Sequence, residues 1–130
     1  YSSYFFKQWD NNLSVLDKLK LHGKDIAPYC DGGQACHIHL EEHLSEEQYN
    51  KILDYCISEG VNYFTFNIPV SECKTCGHVV NAPIAECPKC KSNNIDSWVR
   101  IIGYMRPLSA YSNPRTIEAS KRIYNKSNEL

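Results

Sequence analysis

From Ser3 to Lys20 the apolar residues Tyr4, Phe5, Trp9, Leu13, Leu16 and Leu19 recur close to helical spacing, with charged and polar residues between them. That pattern predicts an amphipathic helix, broken near Asp10-Asn11-Asn12, whose stripe packs into a core. Leu21 to Tyr29 contains Gly23 and Pro28 and reads as a loop. After the turn residues Asp31-Gly32-Gly33, positions Ala35 to Leu40 alternate as a strand does. Ser45 followed by Gln48 forms a capping box. The helix it opens carries Tyr49, Ile52, Leu53, Cys56 and Ile57 on one face and stops at Gly60. Val61 to Ile68, β-branched and aromatic, is a second strand closed by Pro69. Strand, helix and strand in this order predict a βαβ unit with parallel strands and a right-handed crossover. Two parallel strands make no stable sheet alone, so the unit requires neighbours. Further on, Ser97 to Met105 is apolar without a helical period. A loop marked by Pro107 and Ser109 follows, and Ser112-Asn113-Pro114 starts a last helix through Ile117, Ala119 and Ile123.

Candidate chemistry concentrates in Cys73-Lys74-Thr75-Cys76 and Cys87-Pro88-Lys89-Cys90. Each Cys-x-x-Cys sets two thiolates on one tight turn. Two such turns facing each other offer the four sulfurs of a tetrahedral zinc site, with Zn–S near ~2.3 Å. Gly77 supplies open backbone behind the first pair, and Pro88 stiffens the second. Free or redox-active thiols would account for one such pair, and iron also accepts thiolates. Two pairs at ribbon spacing in a short polar segment point to zinc. A closed set of four sulfurs leaves no position for water or substrate, which makes that metal structural. His78 sits beside a complete set and is not expected to ligate. His37 and His39 share one strand face near Cys30 and Cys36. A second metal or catalytic site there competes with a satisfied polar edge beside the Gly-Gly turn. Cys56, on the apolar helix face, reads as buried and inert.

Composition narrows the classes. The net charge is −1, with both signs mixed along the chain, which is no nucleic-acid footprint even though many zinc ribbons bind nucleic acid. No apolar run reaches the ~18 residues of a membrane span, and no signal peptide is visible. Seven cysteines is an odd count. With four committed to metal, Cys30, Cys36 and Cys56 fit a reducing cytoplasm better than a disulfide framework. The length suits one domain or a piece of something larger, and Tyr1 in place of an initiating methionine favours the piece.

The four cysteines, followed by Arg100, Gly103 and Tyr104 in an Arg-x-x-Gly-Tyr pattern, resemble the anaerobic (class III) ribonucleotide reductases, a group of glycyl radical enzymes. The strand Tyr63 to Asn67 with Pro69 before the first zinc cysteine, and the basic segment Pro114 to Tyr124, are similar to that family as well. The likeness covers the second half of the chain closely and the region from Gly32 onward more loosely. It implies an α/β fold: the C-terminal portion of a ten-stranded α/β barrel with an inserted four-cysteine zinc ribbon. The implied division is 1–70 for the barrel part, 71–97 for the ribbon, and 98–130 for the glycyl radical loop and C-terminal helix.

By the same resemblance Gly103 is the radical residue, Arg100 and Tyr104 support its loop, and Ile101 and Ile102 pack it into a dry channel. Glycine suits the task, because a Cα radical delocalises over the flanking amide and carbonyl only when planar, and a Cβ would crowd that plane. Family membership further implies a partner activase with a [4Fe–4S] cluster and S-adenosylmethionine that abstracts the glycine hydrogen. A cysteine on a finger loop, outside this chain, then carries the radical to the ribose, and ribonucleoside triphosphates (or diphosphates) become deoxyribonucleotides. Formate or a small redoxin would supply electrons, and the full enzyme would be a homodimer. The zinc ribbon would hold the C-terminal loop in place. After Gly103 the stretch Tyr104 to Arg115 departs from the spacing of the commonest members, and none of Cys30, Cys36 or Cys56 matches the finger-loop cysteine. Two rivals remain. A glycyl radical repair subunit needs no zinc ribbon, and a zinc-ribbon binding module leaves Gly103 unexplained.

Overall fold

The computed structural model describes residues 5–7, 9–32, 34–101 and 104–127. Ser14 opens helix α1 (Val15–Leu21): its side chain accepts from the Asp17 N–H while the Asp17 carboxylate takes the Ser14 N–H. Of the helix predicted over Ser3–Lys20, the expected break at Asp10-Asn11-Asn12 is present, but among the described residues the part before it is not helical. Ser3, Tyr4 and Gln8 lie outside the described residues. Phe5 to Leu13 is bends, turns and irregular chain where described, because Asp10-Asn11-Asn12 forms a turn, with Asp10 Oδ1 on the Asn12 N–H at 3.0 Å, and the capping box fixes the helix start after it. The stripe shifts accordingly. Val15 and Leu19 are buried, whereas Leu16 and Trp9 are exposed.

The βαβ unit forms as expected. Strand β1 (Cys36–His39) pairs in parallel with β2 (Phe64–Asn67), and helix α2 (Glu46–Glu59) connects them. The Ser45/Gln48 capping box starts α2, and Gly60 ends it in the left-handed region at φ 70°, a conformation that costs glycine little. Gly23 lies where this end meets α1: a Cβ there would fall 2.3 Å from the Glu59 carbonyl oxygen. Register assigns the two sheet faces. Cys36, Ile38 and Leu40 join Val15, Leu19, Leu44, Ile52 and Cys56 in the core, with Phe64 and Phe66 against them. The opposite face carries His37 beside Thr65 and His39 beside Asn67. Of the expected α2 face, Ile52 and Cys56 are buried, but Leu53 and Ile57 are exposed.

A four-stranded antiparallel sheet, in the order β4-β3-β5-β6, follows: β3 (Val70–Cys73), β4 (Val79–Val80), β5 (Ile95–Arg100) and β6 (Met105–Pro107). The cysteine ribbon is inserted between β3 and β5, and β5 runs across the expected 97/98 boundary. Helix α3 (Asn113–Lys121) has Pro114 in its first turn and stops before Ile123, short of the predicted span. The chain then returns along the open edge of β1, where Asn125 bridges Leu40 in parallel and Lys18 Nζ donates to Asn125 Oδ1 at 2.9 Å. This strap supplies part of the neighbour the two parallel strands need. Among the described residues no helix is long and apolar enough to cross a membrane.

Candidate functional site

The two Cys-x-x-Cys turns are built alike. Gly77 donates its N–H to the Cys73 carbonyl at 2.8 Å, and Lys91 donates to the Cys87 carbonyl at 2.9 Å. Both residues sit at positive φ, 72° and 60°. Cys73 and Cys87 then donate their own N–H groups to the carbonyls of His78 and Ser92, so His78 serves the turn through its backbone. A 2.8 Å hydrogen bond between the Thr75 and Ser92 hydroxyls ties the turns together. Ser71, fully buried on β3, holds the ribbon tip: its hydroxyl donates to the Ala82 carbonyl at 2.7 Å and accepts from the Ile84 N–H.

This scaffold brings the sulfurs of Cys73, Cys76, Cys87 and Cys90 within 4.8 Å of one another. Cys73 and Cys90 are 3.5 Å apart, and Cys76 and Cys87 are 3.7 Å apart. A tetrahedron with Zn–S near ~2.3 Å has S–S edges of about 3.8 Å; a disulfide requires about 2.05 Å. All four thiols are free of disulfides. The Cys76 backbone N–H, aimed at the Cys73 sulfur, holds that thiol down at about 6, and the Cys90 N–H lowers Cys87 in the same way. At Cys90 the Ser92 backbone also lowers the thiol, but burial and the neighbouring sulfurs together outweigh it and push Cys90 up to about 12. Amide donors aimed at sulfur favour the thiolate that a metal needs. The cluster fits a structural zinc site, and the metal there would cross-link two turns that are otherwise mostly exposed.

Arg100, Ile101 and Tyr104 of the Arg-x-x-Gly-Tyr segment lie at the stem where β5 and β6 pair. Arg100 pairs with Met105, and the Ile101 N–H donates to the Tyr104 carbonyl at 3.0 Å. Ile102 and Gly103 lie outside the described residues. Arg100 is half-buried and lines a groove of about 290 Å³ together with His43, Tyr49, Phe66, Asn67 and Met105. Tyr104 is exposed. The metal cluster and the hairpin therefore share one strand: β5 starts opposite Cys73, through Ile95, and ends at Arg100.

His37 and His39 are buried and do not form a polar edge. Asn67 makes this plain. Its Oδ1 accepts the Arg100 N–H at 3.2 Å, so its Nδ2 is the donor facing His39 Nδ1 at 2.8 Å. The Nδ1 lone pair of His39 is thereby taken, and its proton belongs on Nε2. Burial, then the Arg122 charge, holds His39 down at about 3, and burial with Arg100 lowers His37. A second metal site gains no ligand from a ring held this way; among the described residues, the metal-ligand grouping is the four cysteines. Cys56 is buried as expected, and burial pushes its thiol up to about 11. The sequence reading missed Ser71, Lys91, Asn67 and Arg122. A Glu118/Arg122 pair at helical i,i+4 spacing was the available signal for the last.

Residues 1–124 match the family model described as anaerobic ribonucleoside-triphosphate reductase. A solved anaerobic ribonucleotide reductase superposes with a TM-score of 0.81 at 31% identity, over 98% of this chain and 20% of that one. The Thermotoga maritima enzyme, crystallised with MES in its active site, gives 0.71 at 32% identity over 86% of this chain and 18% of its own. A curated valine–tRNA ligase from Treponema denticola is 33% identical over 130 residues, 93% of this chain but 13% of that protein. The chain thus spans about a fifth of the length of the solved reductases it matches. It belongs to the anaerobic ribonucleoside-triphosphate reductase family.

Proposed function

We propose that this chain supplies the glycine loop and the structural zinc of an anaerobic ribonucleoside-triphosphate reductase and acts together with the remainder of a ten-stranded barrel. Residues 1–70 contribute to the barrel, 71–97 bind zinc through Cys73, Cys76, Cys87 and Cys90, and 98–130 carry the loop and its supporting helix. Gly103 holds the radical, with Arg100 and Tyr104 in its support. A radical-S-adenosylmethionine activase removes the Gly103 Cα hydrogen, and a cysteine outside this chain transmits the oxidation to the ribonucleotide. A homodimer in a reducing cytoplasm suits the free thiols and the oxygen sensitivity of such a radical. The observation that carries this reading is the sharing of β5 between the four-cysteine cluster and the hairpin stem that leads to Gly103, in a chain that matches the family along residues 1–124. The match to valine–tRNA ligase spans too little of that protein to support a second reading.

The test uses the complete reductase, activated anaerobically and then exposed briefly to air. A glycyl radical reacts with oxygen and cuts the backbone at its own position. Mass spectrometry should find a break at Gly103 that is absent from Gly103→Ala. An intact chain alongside a demonstrably active activase would remove the radical role.

A further inference from the structure

We infer that Arg122, clamped by Glu118, is a positioning residue for the loop that carries Gly103. The inference rests on the radical role proposed for that glycine.

The pairing of β5 leaves a specific gap. Its ladder with β3 ends at Trp98 opposite Val70. Beyond that point the Ile101 N–H turns toward β6, to the Tyr104 carbonyl. Neighbouring residues of a strand present their amides to opposite edges, so the N–H and C=O of Arg100 face the edge that β3 has vacated. Side chains take the place of the missing strand. Asn67 Oδ1 accepts the N–H at 3.2 Å, and Arg122 Nη1 donates to the carbonyl at 2.7 Å. Arg122 Nη2 makes a long 3.5 Å contact to the Ile101 carbonyl, and the Tyr111 hydroxyl donates to the Val99 carbonyl at 3.0 Å. Three successive carbonyls ahead of Ile102 and Gly103 thus meet side chains of the C-terminal segment.

The other edge of the guanidinium grips Glu118. Nε and Nη2 each lie 2.8 Å from one carboxylate oxygen, and the Arg122 side chain is wholly buried. A buried charge is an expensive way to stabilise a fold, since an apolar side chain of similar volume often serves as well. What the fork adds is direction: its donors have fixed relative angles, which a lysine ammonium cannot reproduce. Anchored to α3 at one edge and to the strand at the other, Arg122 sets the height and tilt of the hairpin stem. Hydrogen abstraction at one Cα depends on that placement, and a misplacement of about 1 Å can cost about 100-fold in rate.

The complete reductase carrying Arg122→Lys or Arg122→Gln, treated with the activase, tests this. Electron paramagnetic resonance, with 2-13C-glycine labelling to assign the signal, gives the rate of Gly103 radical formation and its line shape. Zinc content and melting temperature report the fold. The expected result is a radical-formation rate lowered about 10-fold in the lysine variant and about 100-fold in the glutamine variant, with an altered line shape and full zinc content. Wild-type rate and line shape in a folded variant would overturn the positioning role. If neither variant folds, Glu118→Gln, which keeps one acceptor for the fork, decides: a severalfold slower activation supports the clamp, and an unchanged rate overturns it. A wild-type enzyme whose signal does not respond to glycine labelling would instead refute the radical role of Gly103, and the inference with it.

Discussion

Removing the metal should unfold the ribbon and spare the βαβ core. Of the described residues from Lys74 to Asn94, Cys87 is the buried one, so this segment has no apolar core of its own. Its order rests on turn hydrogen bonds, chiefly those of Cys73, Gly77, Cys87 and Lys91. Each contributes about 1 kcal/mol net, against about 1–2 kcal/mol per residue for fixing the backbone. Those bonds alone do not offset that cost, and a metal bound to four sulfurs adds a cross-link between the two turns. A mercurial that caps the four thiolates and displaces the metal, with a chelator to take up what is released, should therefore erase hydrogen-exchange protection at the Gly77 and Lys91 amides. The amides of Ile38, Ile52 and Cys56, in the core, should keep theirs. Protection should also fall at Ile95 to Ser97, which pair with Cys73 to Ser71. Elemental analysis before chelation should give one zinc per chain, whereas iron would select the other thiolate metal. Undiminished protection at Gly77 and Lys91 in metal-free protein would refute the reasoning, because no other described interaction is strong enough to hold those turns.

Two further outcomes are expected. Lys91 occupies the left-handed position that Gly77 fills in the matching turn, so Lys91→Gly should raise resistance to chelation by about 0.5–1 kcal/mol. Its exposed 3.8 Å ion pair with Glu86 offsets little of this, and a lowered resistance would contradict the assignment of strain to Lys91. Acid should destabilise the fold from about pH 6.5 downward, measured as the urea midpoint. Burial lowers His22, His37 and His39, so the unfolded chain takes up protons that the native state refuses. Their stabilisation is complete above the unfolded value and is lost as pH falls toward the folded ones, about 3 for His39. His39 alone, with its folded value near 3, contributes a slope of about 1.4 kcal/mol per pH unit, and His22 and His37 act in the same direction. His39→Gln should lessen it by one proton's worth, and an unchanged slope would place His39 outside the titrating set.

Local rules made half of this architecture legible. The Ser45/Gln48 box, Gly60 at the helix end and the β-branched run before Pro69 are signals carried by adjacent residues, and the βαβ unit followed from them. The four-stranded sheet was not legible, because its members are two to six residues long and the ribbon separates β3 from β5. Ser97 to Met105 lacked a helical period because its described residues end one strand, β5, and begin another, β6. Periodicity misled at α1 and α2. Leu16, Leu53 and Ile57 satisfy a helical stripe yet lie exposed, since spacing records which residues can share a face and not whether this chain covers it. The cysteine cluster was readable from spacing, but its relation to the hairpin was not: that depends on Cys73 and Ile95 meeting across the whole ribbon.

That meeting bears on how a structural metal can influence chemistry at a distance. β5 has six residues, so it reaches about 20 Å at about 3.3 Å per residue. At its start the pairing of Ile95 with Cys73 ties it to a metal-ligand turn. At its end Asn67 and Arg122 hold Arg100. Loss of the metal frees the first attachment and leaves the second, so the stem should pivot about Arg100 and not detach. Loss of Arg122 leaves the strand paired but its end unsupported on the side β3 has vacated. The two attachments constrain different coordinates of the same strand. Their disruptions should therefore add in a double variant when the rate of radical formation is measured, as expected for distant sites with no shared partner, and a clearly non-additive loss would show that the two ends are coupled through the strand.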